Sequence, residues 1–205
     1  MKLLCVRHGE SVWNAEGRTQ GQADVALSER GRQQAAAIAG RLERVPIGAV
    51  FSSDLVRAWE TALPIAAAHG APLVPVPALR ERHLGAFQGL TFEEIVARFP
   101  DLWEAVFRGD GRPPGGETRA EVGARVRCFL RELRAAPPAE TVVLVGHGGS
   151  LRAAFAELLG LPQEEGWRFR VDNGSLTIFA LYPEGAVAEV LNDTCHLDGG
   201  RSPEW

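Results

Sequence analysis

Arg7-His8-Gly9-Glu10-Ser11 follows directly on the apolar run Leu3-Leu4-Cys5-Val6. A short β-type run ending in Arg-His-Gly puts an imidazole at the carboxyl end of a strand, where open α/β sheets bind ligands. Gly9 lets the backbone turn sharply and approach a ligand without a Cβ in the way. Such a tripeptide alone is a weak signal, because an isolated histidine is usually a core or surface residue. Its weight comes from three further segments: Ser52-Ser53-Asp54-Leu55-Val56-Arg57, Leu79-Arg80-Glu81-Arg82-His83 and Gly146-His147-Gly148-Gly149-Ser150. Two arginines, two histidines and one glutamate thus stand at element ends, a set suited to phosphoryl transfer through a phosphohistidine.

Each residue type has a physical reason to be there. His8 can attack phosphorus only as a neutral imidazole, so one ring nitrogen must accept while the other donates, for instance to a nearby backbone carbonyl. Arg7 and Arg57 offer planar, permanently charged donors for the phosphoryl oxygens. His147 follows the run Val142–Val145 and opens a helix, where N–H groups such as that of Gly148 favour an anion. Glu81 is the expected general acid, and a bound dianionic phosphate beside it favours its protonated form. Glu10 is a second carboxylate nearby and less well suited. Taken singly, these residues have ordinary readings: a surface helix arginine, a loop glutamate, a glycine-rich turn.

Alternating strand-like and helix-like segments predict a mostly parallel sheet covered by helices. The strands expected are Lys2–Val6, Ala49–Ser52, Leu73–Val76 and Thr141–Val145, then Leu176–Leu181 and Val187–Leu191 as a hairpin across Tyr182–Ala186. Helices are expected from Ser28 to Leu42, from Asp54 to His69 with a disturbance at Pro64, and from Thr91 to Phe99. Two more are expected over Arg119–Leu133 and Leu151–Leu159. The Gly- and Pro-rich stretch from Asp101 to Thr118 reads as a long loop over one end of the sheet. One domain over residues 1–205 is the expected organisation, a three-layer α/β/α sandwich.

The 205 residues are 45 % hydrophobic and 23 % charged, as in ordinary soluble proteins. A net charge of −4 with no basic stretch argues against nucleic-acid binding. Any anionic ligand must therefore be met by a local cluster of arginines. Cys5, Cys128 and Cys195 are odd in number and widely spaced, which fits reduced thiols better than disulfides or zinc. No charged leader with an apolar core opens the sequence, and no apolar run approaches the ~20 residues of a membrane span. A cytoplasmic enzyme without membrane contact is expected.

The segments RHGESVWNAEGRTQGQADVALSERG, SSDLVRAWETA, LRERHLGAFQGLT, PPGGET and VGHGGSLRA resemble, in order, the successive motifs of the histidine phosphatase superfamily. The resemblance covers nearly the whole chain and points to the branch shared by phosphoglycerate mutases and bacterial small-molecule phosphatases. It implies that Arg7, His8, Arg57, Glu81 and His147 form the phosphate pocket, with His8 as nucleophile. Asn14, Gln20 and Gly21 would line the pocket, with Ser11 beside it, and no metal or other cofactor is implied. The motif of the mutases has Tyr where Leu84 stands and Lys close to Phe92, and their paired carboxylate-binding arginines have no clear counterpart. A phosphatase is therefore expected before a mutase. Segments resemble phosphatases of glucosyl-3-phosphoglycerate, phosphoserine and α-ribazole phosphate, and His83, Leu84 and His196 are the positions where selectivity is expected. A non-catalytic phosphate-binding module is disfavoured because all five central residues are intact. The partner expected is a small phosphorylated metabolite, and a homodimer is an open expectation.

Overall fold

A computed structural model describes residues 1–197. Its sheet contains β1 (Lys2–Arg7), β2 (Ala49–Ser52), β3 (Leu73–Pro75), β4 (Thr141–Gly146), β5 (Leu176–Tyr182) and β6 (Gly185–Asp193) in the order β3-β2-β4-β1-β5-β6. The first four strands are mutually parallel, whereas β5 runs antiparallel to β1 and forms a hairpin with β6. Strand periodicity sends Leu3 and Cys5 of β1 to one face and Leu4 and Val6 to the other. In β4, Val142 and Leu144 likewise oppose Val143 and Val145. Both faces are apolar, so both need a covering layer.

Helices α2 (Glu29–Leu42) and α3 (Val56–His69) cover the Leu4 face. Within α2 the buried residues Gly31, Ala35, Ile38 and Leu42 recur at helical spacing, and the Ser28 side chain caps its first turn by accepting from Gly31 N–H at 3.0 Å. Helix α3 continues through Pro64 without a break. A proline removes one internal hydrogen bond, but buried Ala58, Ala62, Ile65 and Ala66 hold the helix to the sheet on both sides of it. Helices α6 (Arg119–Ala135) and α7 (Gly148–Leu158) cover the opposite face through residues such as Val126, Leu130, Ala154 and Phe155.

The remaining helices are short. Val12–Ala15 (α1) follows the Arg-His-Gly turn, and Phe92–Arg98 (α4) starts at Thr91 with the reciprocal Thr91–Glu94 capping bonds that the S/T-x-x-E spacing predicts. The expected loop over 101–118 contains a helix, Trp103–Arg108 (α5). Leu102, Trp103, Val106 and Phe107 have helical spacing and pack with Phe87 and Ile95 in a small third apolar cluster. Glycine and proline content conceals this helix, since both residue types concentrate after Arg108.

One backbone contact sets where the Arg7–Ser11 turn lies. A Cβ placed on Gly9 would stand 2.4 Å from the Gly31 carbonyl oxygen, and one on Gly31 would stand 1.9 Å from the Glu10 carbonyl oxygen. The turn and the first turn of α2 meet backbone to backbone, as only glycine permits. Gly31→Ala must therefore push them apart, an overpacking cost of about 1–3 kcal/mol. A fall in melting temperature of roughly 3–10 °C is expected by circular dichroism; an unchanged melting temperature would refute the close approach.

Candidate active site

The register of β1 on β4 pairs Arg7 with Gly146, so His8 and His147 occupy the next position on adjacent strands. His8 N–H donates to the Gly146 carbonyl at 3.0 Å, and the two ring centroids are 5.0 Å apart. On the far side of β4, Ser52 pairs with Val145, so Ser53 stands opposite Gly146, one step before His147. Ser53 Oγ accepts from Leu55 N–H at 3.3 Å and lies 2.8 Å from His147 Nε2. The other ring nitrogen of His147, Nδ1, is buried without a partner. In His8 the Nδ1–H donates to its neighbour's carbonyl, Gly9 O, at 2.7 Å, and Nε2 keeps its lone pair.

The turn carrying His8 is held from outside the strand. Thr61 Oγ1 accepts from Gly9 N–H at 3.0 Å, and Asn173 Nδ2 donates to the His8 carbonyl at 3.1 Å. Gly174 N–H reaches the Arg7 and His8 carbonyls at 3.1 and 3.2 Å. A single sequence carries no signal for Ser53, Thr61 or Asn173, because each acts through a neighbour set by sheet order and packing.

Both expected arginines are oriented by carbonyls. Arg7 Nη1 donates to Val171 O at 2.6 Å; Arg57 donates through Nη1 to Ala23 O at 2.8 Å and through Nη2 to Gly21 O at 2.7 Å. Arg57 is only 1 % exposed, and the Nε of each arginine is buried with no acceptor. Burial pulls the Arg57 guanidinium down to about 10, still protonated at neutral pH, with Glu81 opposing the shift. The same surroundings act on the imidazoles. Burial first, then the charges of Arg57 and Arg7, hold His8 well below the ordinary histidine value. His147 is lowered in the same way, with Arg57 again the leading charge. Both rings are therefore neutral.

Glu81 reaches this group from the segment after β3. Gly149 N–H, in the first turn of α7, donates to its Oε1 and Oε2 at 3.1 and 3.0 Å, and Arg82 N–H donates to Oε1 at 2.7 Å. A Cβ on Gly149 would stand 2.2 Å from Glu81 Oε1.

Arg7, His8, Arg57 and Glu81 line a cavity of about 300 Å³ together with Asn14, Gln20, Gly21 and Leu84. His147 lies fully buried against the His8 ring rather than on the wall. Ser11 is also behind the wall, donating to Gln20 Oε1 at 2.7 Å and capping α1. Gly149 rather than Gly148 reaches the cavity surface. His83 is turned away, its Nδ1 accepting from Gly85 N–H at 3.2 Å, and Glu10 instead accepts from Ser28 Oγ at 2.8 Å. Phe92 packs edge-on against Trp103 and Phe107, so it does not replace a polar substrate contact. Phe107 of α5 does stand on the wall, as do Arg119, Arg152 and Trp167, of which only Arg152 lies within a motif segment, VGHGGSLRA. His196 donates to Gly174 O at 2.9 Å; with Asp193 and Cys195 it brings potential metal-ligand atoms within 4.8 Å of one another, and none of the three lines the cavity.

Two buried neutral histidines make stability depend on pH. Their folded-state values are depressed, so as pH falls below about 6.5 the unfolded chain takes up protons that the fold refuses. The stability present above that pH is lost on acidification, by up to about 1.4 kcal/mol per pH unit for each ring. Denaturant unfolding at pH 7.5, 6.5 and 5.5 should show this decline, and His8→Gln should make it shallower. A flat profile would mean that the rings titrate normally.

The model of the histidine phosphatase superfamily (branch 1) matches residues 3–194. Phosphoserine phosphatase 1 of Hydrogenobacter thermophilus is 37 % identical over 96 % of this chain and 94 % of its own. A probable phosphoglycerate mutase of Yersinia enterocolitica is 36 % identical over 97 % and 95 %. The mycobacterial glucosyl-3-phosphoglycerate phosphatase in complex with VO3 superposes with a TM-score of 0.86 at 38 % identity, over 94 % of this chain and 99 % of that one. Paired strand ends carrying His8 and His147, two arginines on the same cavity and a match over nearly the whole chain agree: this protein belongs to branch 1 of the histidine phosphatase superfamily.

Proposed function

We propose that the protein is a metal-independent phosphomonoesterase that hydrolyses a small phosphorylated metabolite through a phosphohistidine on His8. The observation that carries this reading is the pairing of a free Nε2 lone pair on His8 with unsatisfied buried Nε–H groups on Arg7 and Arg57 beside it. Buried donors without acceptors are rare, and phosphoryl oxygens would satisfy them. In the first step Nε2 bonds to phosphorus as the ester P–O bond breaks, and the leaving alkoxide takes a proton from Glu81. In the second, water attacks phosphorus, its proton returns to Glu81, and the P–N bond breaks to release inorganic phosphate. Arg7, Arg57 and His147 stabilise the charge on the transferring group in both steps.

Glu81 has two partners in this cycle. Without substrate its carboxylate offsets the arginine charges and holds the Gly149 N–H. A phosphate dianion takes over that role and leaves Glu81 to carry the proton. The reading also assigns Gly148 no contact of its own and places selectivity on Leu84 rather than His83. Three free cysteines support a reducing, cytoplasmic setting, and among the described residues no helix is long and apolar enough to cross a membrane.

A mutase reading shares the first step but must exclude water from the phosphoenzyme. The similarity to a probable phosphoglycerate mutase and the wall formed by α5 favour testing it directly. Leu84, apolar where the mutase motif has tyrosine, favours hydrolysis. With 3-phosphoglycerate and catalytic 2,3-bisphosphoglycerate, phosphate should form faster than 2-phosphoglycerate. His8→Ala should abolish both turnover and acid-labile labelling by an aryl phosphate, while chelators should change neither. Activity in His8→Ala, or faster isomerisation than hydrolysis, would reject the proposal.

Leaving-group dependence tests Glu81. Glu81→Gln should slow alkyl phosphates by roughly 10²–10⁴ while sparing aryl phosphates, whose alcohols need no proton. Gly149→Ala should produce the same pattern more weakly, since its methyl displaces the Glu81 carboxylate. Equal losses on both ester types would remove Glu81 from proton transfer.

A further inference from the structure

A group of side chains with mixed chemistry lies outside the cavity, where β6 ends at Asp193. The chain turns there at once: Cys195 N–H donates to Asp193 Oδ1 at 2.9 Å, and Leu197 N–H donates to Thr194 O at 2.9 Å. This turn gathers a carboxylate oxygen of Asp193, Cys195 Sγ and a ring nitrogen of His196 within 4.8 Å of one another. Among the described residues it is the one group in which three potential ligand side chains come so close.

The imidazole of His196 has one nitrogen engaged and one left over. A carbonyl oxygen only accepts, so the 2.9 Å contact of Nε2 with Gly174 O puts the proton of the neutral ring on Nε2. The lone pair is then on Nδ1, which is buried with no hydrogen-bond donor. Buried polar atoms ordinarily have a partner. A histidine that donates one ring N–H to a backbone carbonyl and offers its other nitrogen has the arrangement typical of a metal ligand. Cys195 is exposed, so its thiol is open to solvent and free to reorient. Arg41 borders the group, its Nη2 3.8 Å from Asp193 Oδ2, and it is exposed enough to turn outward when a cation enters.

We propose that Asp193, Cys195 and His196 form a zinc site, with one Asp193 oxygen, Cys195 Sγ and His196 Nδ1 as ligands and water in the fourth position. Sulfur beside imidazole selects zinc over magnesium or calcium, which take oxygen ligands. Tetrahedral zinc with bonds of about 2.0–2.3 Å holds its ligand atoms roughly 3.3–3.8 Å apart, so the turn has to tighten by at most about 1 Å. On binding, the S–H bond breaks, the sulfur bonds to zinc and the proton passes to solvent. The thiolate and carboxylate together then balance the charge of the divalent cation. None of the three ligands lines the cavity, so the metal takes no part in phosphoryl transfer. Its reach is mechanical. His196 holds the carbonyl of Gly174, whose N–H holds the Arg7 and His8 carbonyls. Zinc therefore fastens the end of β6 to the segment that clasps the His8 turn, and it stabilises the native fold as a ligand does that binds only there.

Untagged full-length protein, stripped with a chelator, tests the site with cobalt and zinc alone. Cobalt(II) should give the near-ultraviolet charge-transfer band of a thiolate ligand and the strong visible absorption of tetrahedral coordination. Zinc titrations by calorimetry in two buffers of different ionisation enthalpy should show release of about one proton. Free zinc at a hundred times Kd should raise the melting temperature by roughly 5–10 °C, and magnesium should not. Cys195→Ser, at an exposed position, should keep the metal-free melting temperature and lose the cobalt thiolate band. His196→Gln should weaken zinc binding by roughly tenfold or more, whereas Cys128→Ser should leave both band and affinity unchanged. Absence of a thiolate band with cobalt, a band that survives Cys195→Ser, or equal zinc affinity in His196→Gln would each overturn the site.

Discussion

The parallel pairing of β1 with β4 is the constraint on which the rest of the site depends. Because Arg7 lies opposite Gly146, two strand ends deliver their histidines side by side. A slip of one residue would turn Arg7, His8 and the whole alternating core of β1 to the wrong faces of the sheet. The apolar residues on both faces of β1 and β4 fix the register, so core packing and active-site assembly are one requirement. Sheet order extends the same logic: β2 on the far side of β4 brings Ser53 to His147, and the segment after β3 brings Glu81.

That assembly concentrates positive charge where water is scarce. Arg57 is almost wholly buried, and no carboxylate of the described residues forms an ion pair with it. Backbone carbonyls from Gly21 and Ala23 replace an acidic partner, which orients the guanidinium without neutralising it. A carboxylate in that place would compete with substrate for the same donors. The energetic tension is partly relieved by Glu81, a more distant charge that can also carry a proton. The two imidazoles respond by staying neutral, the state in which a histidine is a nucleophile.

The layered fold and the convergence of Arg7, His8, Arg57 and Glu81 on one cavity were legible because they depend on local pattern: alternating apolar residues, capping boxes, and motifs placed just after strands. Lone residues whose roles come from other strands were not. Ser53 matters only because β2 lies against β4, and Asn173 only because its loop crosses the His8 turn. Helix α5 was hidden by a composition dominated by the glycines and prolines that follow it. His83 sits two residues from Glu81, yet the backbone turns it toward Gly85. Proximity in sequence located the neighbourhood of the cavity but could not say which side chains face inward, and Arg119 and Arg152 share its wall because α6 and α7 pack on one face of the sheet.

The clasp of Asn173 and Gly174 on the His8 turn joins residues 164 or more positions apart in sequence. During synthesis the Arg7–Ser11 segment emerges well before its partners in β4 and in the loop before β5. Long-range pairing of this kind makes folding slow, because much of the loop-closure entropy is spent before the contacts form. His8 is therefore made long before it acquires the contacts that fix its geometry. An incomplete chain carries His8 as an ordinary solvated histidine, and the buried, neutral imidazole exists only once the sheet has closed around it.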